Sequence, residues 1–255
     1  MTVFVCQDSI EGIFTGVYDG WDSRLGHSKV QLGVAGMDNI ELFMNYIFVD
    51  SDIEKSYKVT RTICNRMGGE VYGWICQALL SNDKEKANAV YHTIVAGLSL
   101  KNGKKIMDYL THPNVCKVFE LSRNVENEVH HYKGFVRFQE LCNGVLFSAI
   151  KPSNNVLTAL APHFAERLPI ENWVIYDEVR KLFAVHEANK RWAIVVGEHI
   201  NKEMINNLSA HEREFQRLWK GFCNSISIHE RENKNLQRQN LPIRFRDNMV
   251  EFIIK

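Results

Sequence analysis

The chain has 255 residues, 45% of them hydrophobic and 24% charged, with a formal net charge of +1. That length allows one large domain or two small ones and a sizeable core. The near-neutral balance excludes a surface coated in basic residues, so any nucleic-acid contact has to come from a local patch. No stretch approaches the roughly eighteen apolar residues that a membrane span needs. The N-terminus lacks the basic and apolar regions of a secretory signal. The six cysteines are scattered and form no Cys-x-x-Cys pair. Reduced thiols in a cytoplasmic protein are the expectation.

Val3 to Cys6 reads as a short strand. Ser9 or Asp8 can cap the helix that follows, with Ile10, Phe14, Val17 and Trp21 on one side. Residues 26–36 read as a Gly-rich connection, and the apolar runs within 40–49 fit strand or helix. From Asp50 to about Tyr132 the pattern is helical. Ser51 with Glu54 reads as a capping box, and Gly68-Gly69 can end that helix. Val71, Trp74, Ile75, Ala78 and Leu79 make a second helix. Ser81 can cap a third, and Pro113 suits the first turn of a fourth that runs to Tyr132.

The pattern changes at Gly134. Phe135–Leu141 and Val145–Ile150 are β-like runs joined by Cys142-Asn143-Gly144, a hairpin signal because Asn and Gly tolerate positive φ. A short helix over Val156, Leu157, Leu160 and Phe164 follows, and Pro162 is expected to break or restart it. Trp173–Tyr176, Leu182–His186 and Trp192–Val196 are three further strand candidates. Ser209 with Glu212 repeats the capping-box pattern ahead of the stripe Phe215, Leu218, Trp219, Phe222 and Ile226. The fold class is therefore α+β: a helical N-terminal half, a small central antiparallel or mixed sheet, and a helical C-terminus with a basic tail. The organisation expected is a strand plus mainly helical region over 1–132, a sheet-containing core over 133–200, and a C-terminal helix with basic tail over 201–255, compatible with one continuous domain.

The tail concentrates the chemistry. Arg231, Lys234, Arg238, Arg244 and Arg246 face a single acid, Glu232, a local +4 in a chain of +1. Asn233, Asn235, Gln237, Gln239 and Asn240 add hydrogen-bonding amides. Such groups serve phosphate and base-edge contacts, and an Arg beside an aromatic, as in Arg244-Phe245, can pair with phosphate while the ring stacks on an unpaired base. The same residues also fit a solvated tail, or a C-terminus docked by Phe245, Met249, Phe252 and Ile253 with Arg244 reaching outward.

Easy enzyme signatures are missing. There is no phosphate loop, dinucleotide fingerprint, His-Glu-x-x-His, zinc spacing or nucleophile elbow. No cofactor is expected. Of the ten histidines, His130 and His131 are adjacent on a helix and point about 100° apart, so they do not predict a metal. Asp177, Glu178 and Arg180 occupy a turn, where they can position a substrate or satisfy turn backbone and a local ion pair. His163 and Arg167 share a helix face and offer either a phosphate site or a helix-end cap.

Several ordered motifs resemble one family. They are Thr15-Gly16-Val17-Tyr18-Asp19; Glu128 and His131 leading into Gly134-Phe135 and Arg137-Phe138; Asn143-Gly144-Val145; Asn155-Val156-Leu157; Leu160-Ala161-Pro162-His163-Phe164 with Arg167; Trp173-Val174-Ile175-Tyr176-Asp177-Glu178 with Arg180; Leu218-Trp219; and Glu230-Arg231 through Leu236-Gln237-Arg238-Gln239, Pro242 and Arg244-Phe245. Together they resemble a bacterial family assigned to DNA metabolism or DNA repair. Its members are encoded beside a radical SAM protein similar to spore photoproduct lyase, and some are fused to uracil-DNA-glycosylase-like domains. The chain departs from the family's Asn-Pro at Asn233-Lys234. It also departs from Pro-Lys-Arg-Tyr-Trp-Lys, which here reads Pro242-Ile-Arg-Phe-Arg-Asp247. The Trp of that run is lost and Arg246 gained.

The resemblance implies a DNA-repair accessory that binds DNA, single-stranded or damaged, or the radical SAM partner. Arg231, Gln237, Arg238, Arg244 and Phe245 are its contacts, supported by Arg137, His163 and Arg167. The alternatives are a DNA-modifying enzyme using His131, His163 or Asp177 as acid or base, and a protein-interaction subunit without direct DNA contact.

Overall fold

The computed structural model describes residues 1–36, 42–197, 205–246 and 249–252. The architecture is α+β, with a three-stranded parallel sheet and a five-stranded mixed sheet. The chain forms two compact units, Met1–Asn127 and Glu128–Lys255. Among the described residues no helix is long and apolar enough to cross a membrane.

In the first unit β1 (Thr2–Cys6) lies between β2 (Val30–Val34) and β3 (Asn45–Val49), with Thr2 opposite both Val30 and Asn45. Helices α1 (Ile10–Asp22), α2 (Ile53–Met67), α3 (Gly69–Leu79), α4 (Lys86–Ser99) and the start of α5 (Pro113–Phe135) complete it. Ser9 caps α1, its Oγ accepting from the Gly12 N–H at 2.9 Å. Gly16 lets α1 lie against β1, since a Cβ there would overlap the Cys6 sulfur. Burial pushes the Cys6 thiol up to about 12, so it packs as a small hydrophobe. Phe14, Ile63, Met67, Ile75, Tyr91 and Ile94 fill the core.

Three local expectations change here. Residues 26–36 are not simply a connection, because β2 lies within them. The strand is only five residues long, and Gly33 within it and the glycines around it read as turn rather than strand. The 40–49 run resolves as β3; residues 37–41 lie outside the described residues. Asp52, not Ser51, caps α2: its Oδ1 accepts from Glu54 N (2.8 Å) and Lys55 N (3.1 Å), while Ser51 Oγ donates to Gln7 Oε1 at 2.7 Å. Ser81 caps no helix. It closes a turn onto the Asp83 N–H, and α4 starts at Lys86, whose buried ammonium donates to the Ser81 carbonyl (2.6 Å) and pairs with Asp8.

The second unit carries the mixed sheet. Its strands β4 (Gln139–Glu140), β5 (Leu146–Ile150), β6 (Trp173–Asp177), β7 (Leu182–His186) and β8 (Ala193–Val196) are neighbours in that order. Only β5 and β6 are parallel, and α6 (Leu157–Arg167) makes the crossover between them. The Asn-Gly hairpin is present, with Gly144 at φ +79°. Its first strand is short because α5 continues past Gly134 to Phe135. Arg137 then caps the exposed carbonyls, donating to Gly134 O (2.9 Å) and Val136 O (3.2 Å). Pro162 does not break α6. The carbonyl it leaves unbonded belongs to Thr158, and both residues are exposed, so water can pair it. Further along lie α7 (Ala210–Ile226), capped by Ser209 Oγ accepting from Glu212 N, and the short α8 (Lys234–Asn240).

Candidate nucleic-acid interface

Two buried carboxylates hold one loop of the second unit. Glu128, on α5, is 3% exposed. Its Oε1 accepts from the Ser153 N–H at 2.9 Å, and its Oε2 accepts from the Asn154 N–H and side-chain amide, both at 2.8 Å. Asp177, ending β6, is fully buried. Its Oδ1 accepts from the N–H groups of Val179 (2.8 Å) and Arg180 (3.0 Å). Its Oδ2 pairs with the Arg180 guanidinium at 3.2 Å, which also donates to Pro152 O (3.1 Å) and Ser153 O (2.6 Å). The loop 152–154 is thus gripped through its N–H groups by one acid and through its carbonyls by an arginine that the other acid orients. These acceptor sites are committed to backbone and guanidinium donors, which leaves Asp177 poorly suited to shuttle a proton.

The end of the tail is anchored beside this loop. The Phe245 ring is buried, with centroids 5.4 Å from His131, 4.9 Å from Tyr132 and 5.3 Å from Phe135. Arg244 lies 4.7 Å over that ring and 3.6 Å from Glu128 Oε1. Burial first, then the Glu128 charge, raises the Tyr132 phenol pKa. The gap left among Tyr132, Arg137, Lys151, Arg244 and Phe245 is about 20 Å³, room for about one water and not for a base. His131 stacks on Phe135 with the rings 8° from parallel, and its Nδ1 is buried with no hydrogen-bond partner among the described residues.

The other expected residues of the tail are open to solvent. The end of α7, α8 and the turn between them enclose a surface hollow of about 430 Å³. Its lining combines Ile226, Ile228 and Leu236, all exposed, with Arg231, Lys234, Gln237, Asn233, Asn240 and one acid, Glu232. Asn233 caps α8, its Oδ1 accepting from the Leu236 N–H at 3.0 Å. Arg246 closes the other end, donating to Leu241 O (2.7 and 3.0 Å) and Gln237 O (3.1 Å). Arg238 is exposed on α8. A volume of this size, exposed apolar side chains and convergent donors suit a nucleoside-sized group with its phosphate.

A second cationic corner joins α5 and α6. His163 is half-buried and packs edge-on against Phe164 at 5.1 Å. Burial first, then the charges of Lys133 and Arg167, hold its pKa below the usual imidazole value, against the opposing charge of Glu166. His131, His163 and Asp177 therefore have separate partner sets: an aromatic cluster, a cationic corner and a β-turn. Sequence reasoning missed the role of Glu128 and of the loop 152–154. The available signal was an acid on the apolar face of α5, one turn before Tyr132.

The family model described as Domain of unknown function (DUF4130) matches residues 84–251, and the chain belongs to that family. The matched span includes every residue of the interface just described. No curated protein and no solved structure matches the chain.

Proposed function

We propose that this protein is a non-catalytic nucleic-acid-binding accessory of DNA metabolism or repair. The observation that carries the reading is the hollow at Arg231, Lys234 and Gln237, where two cations and several amides, against the single acid Glu232, lie beside exposed apolar side chains. A single-stranded or damaged segment lays one base on Ile226, Ile228 and Leu236 and its phosphates against Arg231, Lys234 and Arg238. Lys133, His163, Arg167 and Arg137 offer further backbone contacts. Arg244 and Phe245 contribute by fixing the tail, not by touching the nucleic acid. The association with a radical SAM repair partner rests on the ordered motifs that run through the chain.

Fluorescence anisotropy with single-stranded, duplex and lesion-bearing oligonucleotides over a range of salt tests the reading. Affinity is expected to fall steeply with salt, and to be highest for single strands. Undetectable or salt-independent binding to all three would overturn it.

A further inference from the structure

The first unit holds a cleft of about 390 Å³, lined by side chains of α1, α2 and α4. Benzene fills an apolar cavity of about 150 Å³, so this cleft has room for a ring with more attached. Four of the lining side chains, Val17, Val59, Ile63 and Ile94, are buried members of the unit's core. Val59 and Ile63 sit one turn apart on α2, so the stripe that packs the helix also lines the cleft.

Two aromatic rings shape the lining. Trp21 is 43% exposed, although Phe14 and Val17 on the same stripe of α1 are buried. Its ring lies 4.4 Å from that of His27, whose Nδ1 is 2.9 Å from the hydroxyl of the buried Tyr91. The indole is thus braced through His27 on the core while part of it stays open to solvent. Tyr18, half-buried, carries the Lys58 ammonium 5.5 Å from its ring centroid.

The polar lining decides what fits. It comprises Asp22, Lys58 and Thr62, all exposed. The neighbouring Lys55 is committed to Asp19 at 2.7 Å. Among the described residues, neither Asp22 nor Lys58 has an ion-pair partner, and they do not pair with each other. Thr62 donates its hydroxyl proton to the Lys58 carbonyl at 2.8 Å, so what it offers a ligand is an acceptor. Asp22 is also the last residue of α1, where the negative end of the helix dipole adds to its carboxylate. The cleft therefore presents one cation and one anion beside apolar and aromatic surface. A simple acid would pair with Lys58 and leave Asp22 facing it. A simple amine would do the reverse. A zwitterion with an aromatic side chain matches both charges and the rings.

We infer that this cleft binds a free aromatic α-amino acid. The side chain lies among Val17, Val59, Ile63 and Trp21, the carboxylate meets Lys58, and the ammonium meets Asp22 and Thr62. Lys58 is the long, flexible member of the pair and closes on the carboxylate. The inference goes beyond the nucleic-acid reading and does not rest on it, since the cleft lies in the first unit and shares no residue with the proposed contacts.

The test is calorimetric titration of the full chain with L-phenylalanine and three relatives: 3-phenylpropanoate, which lacks the ammonium, 2-phenylethylamine, which lacks the carboxylate, and glycine, which lacks the ring. Saturable binding of one L-phenylalanine per chain is expected, with each relative at least about tenfold weaker. Asp22→Asn should weaken L-phenylalanine and 2-phenylethylamine about tenfold and spare 3-phenylpropanoate. Lys58→Gln should weaken L-phenylalanine and 3-phenylpropanoate and spare 2-phenylethylamine. Both side chains are exposed, so both variants should fold, and circular dichroism checks this. No saturable binding of L-phenylalanine, a relative that matches its affinity, or a variant that weakens all the ligands alike would each overturn the inference.

Discussion

The loop 152–154 and the hollow at α8 are both rich in charged and amide groups, and they do opposite things with them. In the loop, Glu128, Asp177 and Arg180 spend their hydrogen bonds mainly on backbone groups. In the hollow, Arg231, Lys234 and Gln237 stand in solvent around exposed Ile228 and Leu236. The difference teaches that polarity alone does not mark a site. A polar group that already has its partners stabilises the fold, while one that is exposed beside apolar surface is available to a ligand.

The sharpest way to break that contrast is to remove Asp177. Asp177→Ala leaves the Val179 and Arg180 N–H groups without their acceptor and removes the carboxylate partner of the Arg180 guanidinium. It should cost about 3–5 kcal/mol of unfolding free energy, read from the urea midpoint. Asp177→Asn keeps an acceptor for the N–H groups and should cost less, about 1–3 kcal/mol. If Asp177→Ala folds with unchanged stability yet abolishes nucleic-acid binding, the loop belongs to the site and the contrast fails.

The hollow should respond in the opposite sense. Combining Arg231→Ala with Arg238→Ala should change stability by less than about 0.5 kcal/mol. It should reduce the slope of log affinity against log salt by about two, one unit per lost phosphate contact. Equal salt slopes for the variant and the parent protein would remove these two residues from the interface.

The two regions were unequally legible in the sequence. Period and turn chemistry disclosed the five-stranded sheet, because Asn143-Gly144 and the runs at Trp173, Leu182 and Trp192 announce strands locally. The basic tail was visible as a charge excess. The grip on 152–154 was not, since it joins Glu128, Asp177 and Arg180 through backbone donors, and backbone leaves no trace in side-chain spacing. Nor was it visible that Phe245 would be spent on His131, Tyr132 and Phe135. A lone aromatic after an arginine reads equally as a stacking platform or an anchor, and only tertiary packing separates the two. Strand β2 was missed for a different reason: its five residues include Gly33 and sit in a Gly-rich stretch, which reads as a connection.

Arg246 gives a smaller test of the same division. It holds the C-terminal carbonyls of α8 and so shapes the hollow without lining it. Arg246→Ala should lower stability by about 1 kcal/mol. It should weaken oligonucleotide binding several-fold while leaving the salt slope nearly intact, because geometry is lost and no phosphate contact is. A slope reduced by about one would instead make Arg246 a direct contact.

The mildest effect is expected at His163, where the cationic corner can be read by titration. Burial, then Lys133 and Arg167, hold its folded-state pKa below the ordinary 6.5. Well above pH 6.5 the side chain is neutral in both folded and unfolded chains and pH has no hold on stability through it. Below that value the unfolded chain takes up the proton first, so stability falls with pH until the folded-state pKa is passed, and then levels. His163→Gln should flatten this part of the stability profile between pH 7 and pH 5. In the parent protein, NMR should show the His163 ring titrating below the ordinary value, with Lys133→Ala moving it upward. Adding a single-stranded oligonucleotide should also move it upward if phosphate occupies the corner, because a nearby anion favours the imidazolium. A His163 titration indifferent to the oligonucleotide would confine binding to the α8 hollow.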